Sequence, residues 1–282
     1  MIGFKTNKPK RKSRRRKRKQ SQRRRYVRYA IFAGACYIIF IIATLPASVV
    51  VSYAKQNLQL QRQLQISAVT GTVWSGSAES VQTNGLNLGT VQWDLKILPL
   101  LFGKVKAYIN FNNKESGTKK ISGSGLVAVS YSGELSLNDF SAALSADALA
   151  PLMYGLPARF AGNLNIRVDS LTLIKGKRIN LKSRILVANA ALVSPQKIDY
   201  GNILIQSTAK DTGSQFVLTD QGGPLILNGT ISLTGNGTYR LNLGMGARET
   251  ASADLEKGLR FLGQRDATGR YRYKMNGKLG NW

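Results

Sequence analysis

The sequence predicts an all-β protein with one N-terminal transmembrane helix. Three observations support this fold class: an uncharged run from Ala30 to Val51, a period-two alternation of apolar and polar residues over most of the later chain, and 28 glycines beside 7 prolines. Glycine permits sharp bends, and sparse proline permits long strands. We therefore expect a long antiparallel, strongly bent sheet, forming an open trough or half-barrel, with one or two short helices.

Residues 1–28 form a basic tail. They hold 15 of the 41 Lys and Arg residues and no Asp or Glu, and the first acidic residue of the chain is Glu79. A low-complexity segment of like charges cannot pack a core, so we predict that the tail is disordered and cytoplasmic. Basic residues beside a membrane are attracted to anionic lipids. No aromatic residue for base stacking lies between Lys8 and Arg25, which argues against nucleic acid as a partner.

Residues 29–53 are predicted to form the transmembrane helix. The uncharged run extends about 33 Å as a helix, enough to cross a hydrocarbon core of about 30 Å, and tyrosines flank it on both sides. Because most positive charges precede the run, we expect the N terminus in the cytoplasm and the C terminus outside. The alternative is a signal peptide cleaved after Ala54, but its apolar region usually has only about 7–15 residues.

A connector at residues 54–65 leads to a β-rich domain at residues 66–282. Within it, VQWDLKI at 91–97 places apolar residues on one side and polar residues on the other. One apolar and one polar side is typical of antiparallel strands. The alternation recurs at 104–111, 164–168, 203–205, 225–233, 239–245 and 271–275. The apolar side must face a second sheet or the inside of a trough or barrel, and both alternatives fit the pattern.

Turn and helix signals divide this domain. Thr234-Gly235-Asn236-Gly237 predicts a tight hairpin, because Asn-Gly supplies the positive φ that such turns need. A short apolar helix is expected around Ala146–Met153. Ser252 is a candidate N-cap for a second helix that ends at Gly263. Further turns are expected at 112–117, 131–134 and 211–213, and the second helix places Leu255, Leu259 and Leu262 on one face.

The residue inventory argues against enzymatic chemistry. The chain has no histidine, which removes Ser-His-Asp and Cys-His catalysis and the commonest metal ligand, and Cys36 is its single thiol. We predict no catalytic, cofactor-binding or metal-binding residue. Gly123–Ala128 has a dinucleotide-binding spacing but leads into an alternating run rather than a helix. Asp220, Asp254 and Asp266 lie far apart in the sequence and are interpreted as surface acids rather than as a carboxylate site.

Two tryptophans are the predicted interaction residues. Trp74 lies among glycine and serine in GTVWSGSA, and Trp93 lies in the first clearly alternating segment. Core packing, with small neighbours that let strands approach, is the simpler interpretation of Trp74. Docking of a partner protein is the functional interpretation.

Several motifs occur in order along the chain: LPASVV at 45–50, GTVWSGSA at 71–78, LNLGTVQWDLKILPLLFGKV at 86–105 and LKSRILVANAAL at 181–192. TDQGGPLILNGTISLTGNGTYRLN at 219–242 and GLRFLGQRDATGRYRYKMNGKL at 258–279 follow. In the order and spacing of these motifs, the chain resembles the type II secretion system protein N family of Gram-negative bacteria. The basic tail is longer than is usual in this family, so the resemblance does not extend to its role.

The resemblance implies a non-enzymatic, single-pass accessory protein of the bacterial inner membrane with its main domain in the periplasm. Its expected partners are the other components of the machinery that exports folded proteins across the outer membrane. The strand pattern is also similar to that of bent-sheet proteins that carry lipid in a groove, so the alternative is an anchored lipid-handling protein with lipid in its trough. A nucleic-acid binder that uses the basic tail is the third and least favoured hypothesis.

Overall fold

The structure is a computed structural model that describes residues 12–57, 64–113, 120–153, 158–174, 178–210, 213–262 and 265–278. The chain divides into two compact units, Met1–Leu45 and Pro46–Trp282. Several sequence predictions fall wholly or partly outside the described residues. They are the first eleven residues of the tail, residues 58–63 of the connector, most of the turns at 112–117 and 211–213, and the helix end at Gly263.

The first unit contains helix α1, Lys12–Ala43. Within it, Tyr26–Ala43 is the one stretch of the described chain that is long and apolar enough to span a membrane. Its 18 residues correspond to about 27 Å of helix. In the described chain α1 extends from Lys12, so much of the basic tail is helical and the helix precedes the predicted start of the span at residue 29. Lys, Arg and Gln are good helix formers, and extending an existing helix costs far less than nucleating a new one.

A break at residues 44–46 separates α1 from helix α2, Ala47–Asn57. The predicted single helix at 29–53 is therefore two helices, and α2 also occupies part of the predicted connector. Pro46 explains the break, because proline lacks the N–H that a helix needs and disfavours helical geometry at the preceding residue. Pro46 instead forms an isolated antiparallel bridge with Thr72.

The rest of the second unit consists of strands joined by turns and short helices. In chain order the described elements are β1 (Leu64–Gly71), β2 (Ser75–Thr83), β3 (Leu86–Lys96), α3 (Ile97–Leu100), β4 (Lys104–Asn113), β5 (Ile121–Ser130), β6 (Glu134–Ser145), a 3₁₀ helix (Ala146–Met153), β7 (Arg159–Ile174), β8 (Arg178–Ser194), β9 (Ile198–Lys210), β10 (Gly213–Asp220), β11 (Leu225–Thr234), β12 (Thr238–Ala247), α4 (Ala253–Arg260) and β13 (Tyr271–Lys278). The alternating segments, the turns at 131–134 and 234–237, and both predicted short helices are confirmed.

All thirteen described strands belong to one antiparallel sheet, and each pairs with its neighbours in sequence. Strands β1 and β13 form the two edges, so the sheet is open, and the described strands form no second sheet. β-Bulges bend it: the register shifts between Ser124 and Leu126 in β5, and between Val187 and Ala190 in β8. In the second bulge, Asn189 has a φ of 52°, an uncommon value outside glycine. This architecture confirms the predicted open, strongly bent antiparallel sheet.

The meander gives the sheet two ends that carry different turns. We call the end with the β1–β2 turn the proximal end; it also carries residues 97–103, residues 131–133 and the bridge between Pro46 and Thr72. We call the opposite end, with the 3₁₀ helix and α4, the distal end. The 3₁₀ helix contacts β3, β6 and β7 there. Every second turn of the meander therefore lies at the same end as Pro46.

The best-buried cluster lies at the distal end, under α4. Ser252 caps this helix as predicted, since its hydroxyl oxygen accepts a hydrogen bond from the Leu255 N–H at 3.2 Å. Leu255 and Leu259 are only 3% and 4% exposed. They pack with Ile198, Leu225, Leu227 and Tyr271 from the distal ends of β9, β11 and β13. Helix α4 therefore covers the sheet at the C-terminal strands.

Candidate interaction surfaces

Each strand presents alternate side chains to the two faces of the sheet, and directly paired residues share a face. One row of paired residues can be followed across all the described strands. This row, here called the polar row, is Thr70, Ser77, Gln92, Asn110, Ser124, Ser141, Arg167, Arg184, Gln206, Val217, Thr230, Asn242 and Lys274. Val217 is its single apolar member, and every member is exposed or half-exposed, so this face meets water.

The middle of the polar row lies in a groove of about 570 Å³, here called the polar groove. Strands β4 to β8 line it. Its lining combines hydroxyl and amide side chains with small and aliphatic residues. The polar residues include Asn110, Ser124, Ser141 and Asn165, and the apolar residues include Ala143 and Leu186. The hydroxyl and amide groups donate and accept hydrogen bonds without a fixed charge. The charges in the groove come from the two arginines of the polar row.

Arg167 on β7 and Arg184 on β8 lie directly opposite each other. Both are exposed, and within the described residues neither forms an ion pair with a carboxylate. With its amide oxygen turned toward β8, Gln206 accepts a hydrogen bond from Arg184 Nη2 at 2.9 Å. Because like charges directly opposite each other destabilise a sheet, stability does not account for this pair. Two adjacent guanidinium groups in a polar groove are suited to bind a carboxylate or a phosphate.

The opposite face is apolar. A shift of one residue along each strand gives the adjacent row of paired residues, whose side chains point to this opposite face. That row is Val69, Ala78, Val91, Phe111, Gly123, Ala142, Ile166, Ile185, Ile205, Leu218, Gly229, Leu243 and Tyr273. Its large side chains are half-buried, whereas aliphatic side chains in a closed core are usually almost fully buried. On this face Val91 pairs with Phe111, and Leu95 pairs with Ala107. Outside the region under α4, the apolar face is therefore only partly covered.

The two predicted interaction residues lie close to the proximal end. Trp93 pairs with Ile109 on the apolar face, and its indole lies over Gly76: an alanine Cβ at position 76 would be 2.6 Å from Trp93 Cζ2. Trp74 is half-buried in the β1–β2 turn, and its carbonyl oxygen accepts a hydrogen bond from the Leu95 N–H at 2.6 Å. Both residues have packing or backbone roles here, and their part in docking a partner stays a prediction.

Two of the three acids considered above bind groups close to them in the sequence, and the third binds a distant arginine. Asp254 pairs with Lys257 of the same helix at 3.7 Å. Asp266 accepts hydrogen bonds from Thr268 Oγ1 at 2.5 Å and from Arg272 Nε at 2.7 Å, and these bonds hold the pKa of its carboxyl well below the usual range. Asp220 binds Arg248. Among the described residues, no group of three His, Cys, Asp or Glu could hold a metal ion.

The arginine pair is the feature that reasoning from the sequence missed. The sequence places Arg167 and Arg184 on the polar side of alternating segments, in NIRV at 165–168 and SRIL at 183–186. A strand's own pattern does not reveal which residue lies opposite on the next strand, because a shift of the register by two residues preserves the pattern. Only the pairing of β7 with β8 brings the two guanidinium groups together.

Comparisons with known proteins agree on one family. The family described as type II secretion system (T2SS), protein N, matches residues 62–274. A type II secretion system protein N of Vibrio cholerae serotype O1 is 26% identical over 262 residues, covering 91% of this chain and 100% of that protein. The protein of the same name from Aeromonas hydrophila is 25% identical over 248 residues, covering 86% of this chain and 94% of that protein. No solved structure matches the chain.

Proposed function

The chain belongs to the type II secretion system protein N family, and we propose that it is an accessory inner-membrane component of the type II secretion machinery. Family membership carries this proposal, because the match covers residues 62–274 and includes most of the sheet. The protein acts through contacts between its sheet and other secretion components, in the assembly of the machine or in the export of folded proteins across the outer membrane. No enzymatic step is part of this role.

In this proposal, Tyr26–Ala43 crosses the inner membrane once. The N terminus is cytoplasmic, because the chain before the span is rich in Lys and Arg and positive charges are retained on that side. The sheet then lies in the periplasm. The basic residues of the tail are attracted to the anionic lipids of the cytoplasmic leaflet, by about 1 kcal/mol for each residue near the surface.

The polar groove is the proposed contact surface for another secretion component. Its arginine pair is exposed, lacks a carboxylate partner within the described chain and places like charges opposite each other. An acidic segment of a partner protein would relieve this repulsion and satisfy the guanidinium donors. We therefore assign the groove to an acidic segment of a partner, bound by Arg167 and Arg184.

Complementation of a gene deletion tests this role. The deletion strain should accumulate folded export substrates in the periplasm, or lose secretion components, and the wild-type gene should restore both. The double substitution Arg167→Glu and Arg184→Glu should restore less export, because it repels an acidic partner. The control is Arg240→Glu with Lys274→Glu, which makes the same change in net charge on the same face but outside the groove.

Two results would contradict different parts of the proposal: one the role in secretion, the other the assignment of the groove. Normal enzymes in the culture supernatant of the deletion strain, with normal amounts of the other secretion components, would remove the role in secretion. Equal export by the two double variants, at equal protein levels, would remove only the assignment of the groove. Membrane levels of each variant distinguish a lost contact from a lost fold.

A second candidate function rests on the apolar face. Because the sheet is open and its apolar side chains are half-buried, this face offers a surface on which acyl chains can lie. In this alternative, the protein is an anchored periplasmic protein that handles lipid in its trough. Mass spectrometry of the full chain, purified in detergent and washed extensively, should then find phospholipid in a fixed ratio to protein. Absence of bound lipid after washing would count against it.

A further inference from the structure

The turn between β3 and β4 exposes an unusual number of large apolar side chains. Ile97, Leu98, Leu101 and Phe102 are 59%, 73%, 77% and 78% exposed, and Tyr131 of the neighbouring β5–β6 turn is 92% exposed. We call these five residues the apolar tip. They lie together at the proximal end of the sheet. Single exposed apolar residues are common on protein surfaces, but a contiguous group marks a contact surface.

The backbone holds the apolar tip in a defined shape. Within the turn, the Phe102 N–H donates to the Pro99 carbonyl oxygen at 3.0 Å, and the Gly103 N–H donates to the Leu100 carbonyl oxygen at 3.0 Å. The two turns are joined by a hydrogen bond from the Tyr131 N–H to the Gly103 carbonyl oxygen, also 3.0 Å. The backbone N–H groups of these three residues are therefore satisfied, while the side chains of Phe102 and Tyr131 are exposed. Nothing in this arrangement requires five large apolar side chains for the fold.

Three lysines and two acids, Asp94 and Glu134, lie on the strands next to the apolar tip. Lys96 and Lys106 lie directly opposite each other on β3 and β4, and the exposed Lys104 begins β4. Asp94 pairs with Lys96 at 2.9 Å, and no other acid occurs in the sequence from 95 to 114. Aliphatic and aromatic side chains that project beyond a rim of lysines are typical of segments that enter the interface of an anionic bilayer. The charge pattern therefore favours phospholipid over a purely apolar protein partner.

The position of the tip relative to Pro46 also fits a bilayer. Only Thr44 and Leu45 separate Pro46 from the end of the candidate span in the sequence, a reach of at most about 11 Å. Pro46 pairs with Thr72 at the proximal end, where Asp94 also lies opposite Ser75. Strand β3 lies two strands from β1, which places it about 10 Å from β1 across the sheet. The chain then rises about 10 Å along β3 from Asp94 to Ile97, where the apolar tip begins. The tip thus extends past the point where the anchor joins the sheet.

We propose that the apolar tip inserts into the interface of the bilayer that holds the anchor, with the three lysines at the phosphate groups. This inference rests on the proposed membrane anchoring. A single covalent connection leaves a domain free to rotate above a membrane, whereas a second contact about 10 Å away limits that rotation. The tip therefore orients the sheet relative to the membrane surface.

Site-specific fluorescence on the full chain in proteoliposomes tests the proposal. The vesicles contain phosphatidylethanolamine with a minority of phosphatidylglycerol. An environment-sensitive fluorophore (NBD) is attached at Leu101→Cys in a Cys36→Ser background. Its emission should shift to the blue and be quenched by lipids that carry a nitroxide near the headgroup. The added substitutions Lys104→Glu and Lys106→Glu should reduce this quenching.

Two control sites distinguish the possible outcomes. Phe261→Cys, also without Cys36, labels a side chain that is 91% exposed at the distal end and should stay unquenched. The natural Cys36 labels the candidate span and should be quenched by nitroxides deep in the acyl chains. The proposal is overturned if the Leu101 label is as water-exposed as the Phe261 label while the Cys36 label is quenched. In that case the apolar tip binds a protein rather than the bilayer. An unquenched Cys36 label overturns the anchoring and this inference together.

Discussion

At the scale of single residues, Asp220 shows how the C-terminal hairpins are held together. Burial of this carboxyl opposes its charge, but the Leu227 N–H at 3.0 Å, the Arg248 guanidinium and the Gly222 N–H outweigh that effect and lower its pKa. Arg248 also donates to the carbonyl oxygens of Gly223 and Leu225 at 2.7 and 2.9 Å. Asp220 therefore links the β10–β11 turn to the end of β12.

We expect Asp220→Ala to lower the free energy of unfolding by about 1–3 kcal/mol, because it leaves Arg248 without its carboxylate and the Leu227 N–H without an acceptor. The lowered pKa of Asp220 means that its contribution is complete above the unfolded-state pKa of about 4 and is lost as the pH falls through the folded-state pKa. The difference between variant and wild type in denaturant unfolding should therefore shrink in acid.

The control for Asp220 is Asp94→Ala. Asp94 pairs with Lys96, but both side chains are more than half exposed, so this pair contributes at most about 1 kcal/mol. Equal effects of the two substitutions at neutral pH would mean that the bonds of Asp220 add no more stability than an ordinary surface pair.

A second prediction at this scale concerns the contact between Trp93 and Gly76. A methyl group at position 76 would lie 2.6 Å from both Trp93 Cζ2 and the Thr70 carbonyl oxygen. We expect Gly76→Ala to cost about 1–3 kcal/mol and to shift the tryptophan emission, because the indole must move. Gly244→Ala is the control, since its new methyl group would be 3.6 Å from its nearest neighbour. Equal melting temperatures for the two variants would contradict a tight indole contact.

At the scale of elements, the rows of paired side chains give each face of the sheet its character. The polar row crosses all thirteen described strands with one apolar member, and the row beside it is apolar or glycine throughout. At the distal end, Leu255 and Leu259 of helix α4 pack against the apolar face and bury it. In the strands before β9, Val81, Ile121 and Val168 are buried, but most other large apolar side chains are half-buried or exposed. The apolar face is thus well covered under α4 and only partly covered over much of the remaining sheet.

This difference predicts unequal responses to a buried charge. Ile109→Asp lies on the half-buried part of the apolar face, where the carboxylate can reach water, so we expect cooperative unfolding to survive and any bound lipid to be lost. Leu255→Asp, at a site only 3% exposed, should cost several kcal/mol and abolish cooperative folding. Thermal unfolding of the full chain in detergent measures both. Loss of cooperative folding in the Ile109 variant would show that this part of the face is a dry core.

At the scale of the whole molecule, charge and connectivity both favour a chain that crosses the membrane once. Residues 1–28 contain no acid, and Pro46–Trp282 forms a separate compact unit. The proximal end of the sheet carries both Pro46 and the apolar tip. The features proposed to meet the membrane therefore belong to one end of the sheet, whereas α4 and its core lie at the other.

We expect alkaline phosphatase fused after Trp282 to be active, because the positive-inside rule places the C terminus outside the cytoplasm. The same enzyme fused after Arg28, before the span, should be inactive. An active cytosolic reporter at Trp282 would refute this orientation. N-terminal sequencing of the mature protein should find the tail intact, whereas a sequence that begins at Lys55 would support a cleaved signal peptide.

The sequence by itself determined the features that depend on neighbours along the chain. Strand alternation, the hairpin at 234–237, the Ser252 cap and the apolar span are visible because side chains two to four residues apart share a face or a turn. The family was also recognisable from the order of the motifs, and the matched region confirms it. The sequence did not reveal that the described residues of the basic tail are helical, since a run of like charges gives no clear signal for a helix.

Only the tertiary structure decided the features that depend on pairing between distant segments. The adjacency of Arg167 and Arg184, the half-burial of the apolar face and the bridge between Pro46 and Thr72 all follow from strand register and topology. A register shift of two residues leaves each strand's pattern unchanged but gives every side chain a new neighbour. The choice between a sandwich and a single open sheet has the same origin, because the alternating pattern requires a covered apolar side without specifying what covers it.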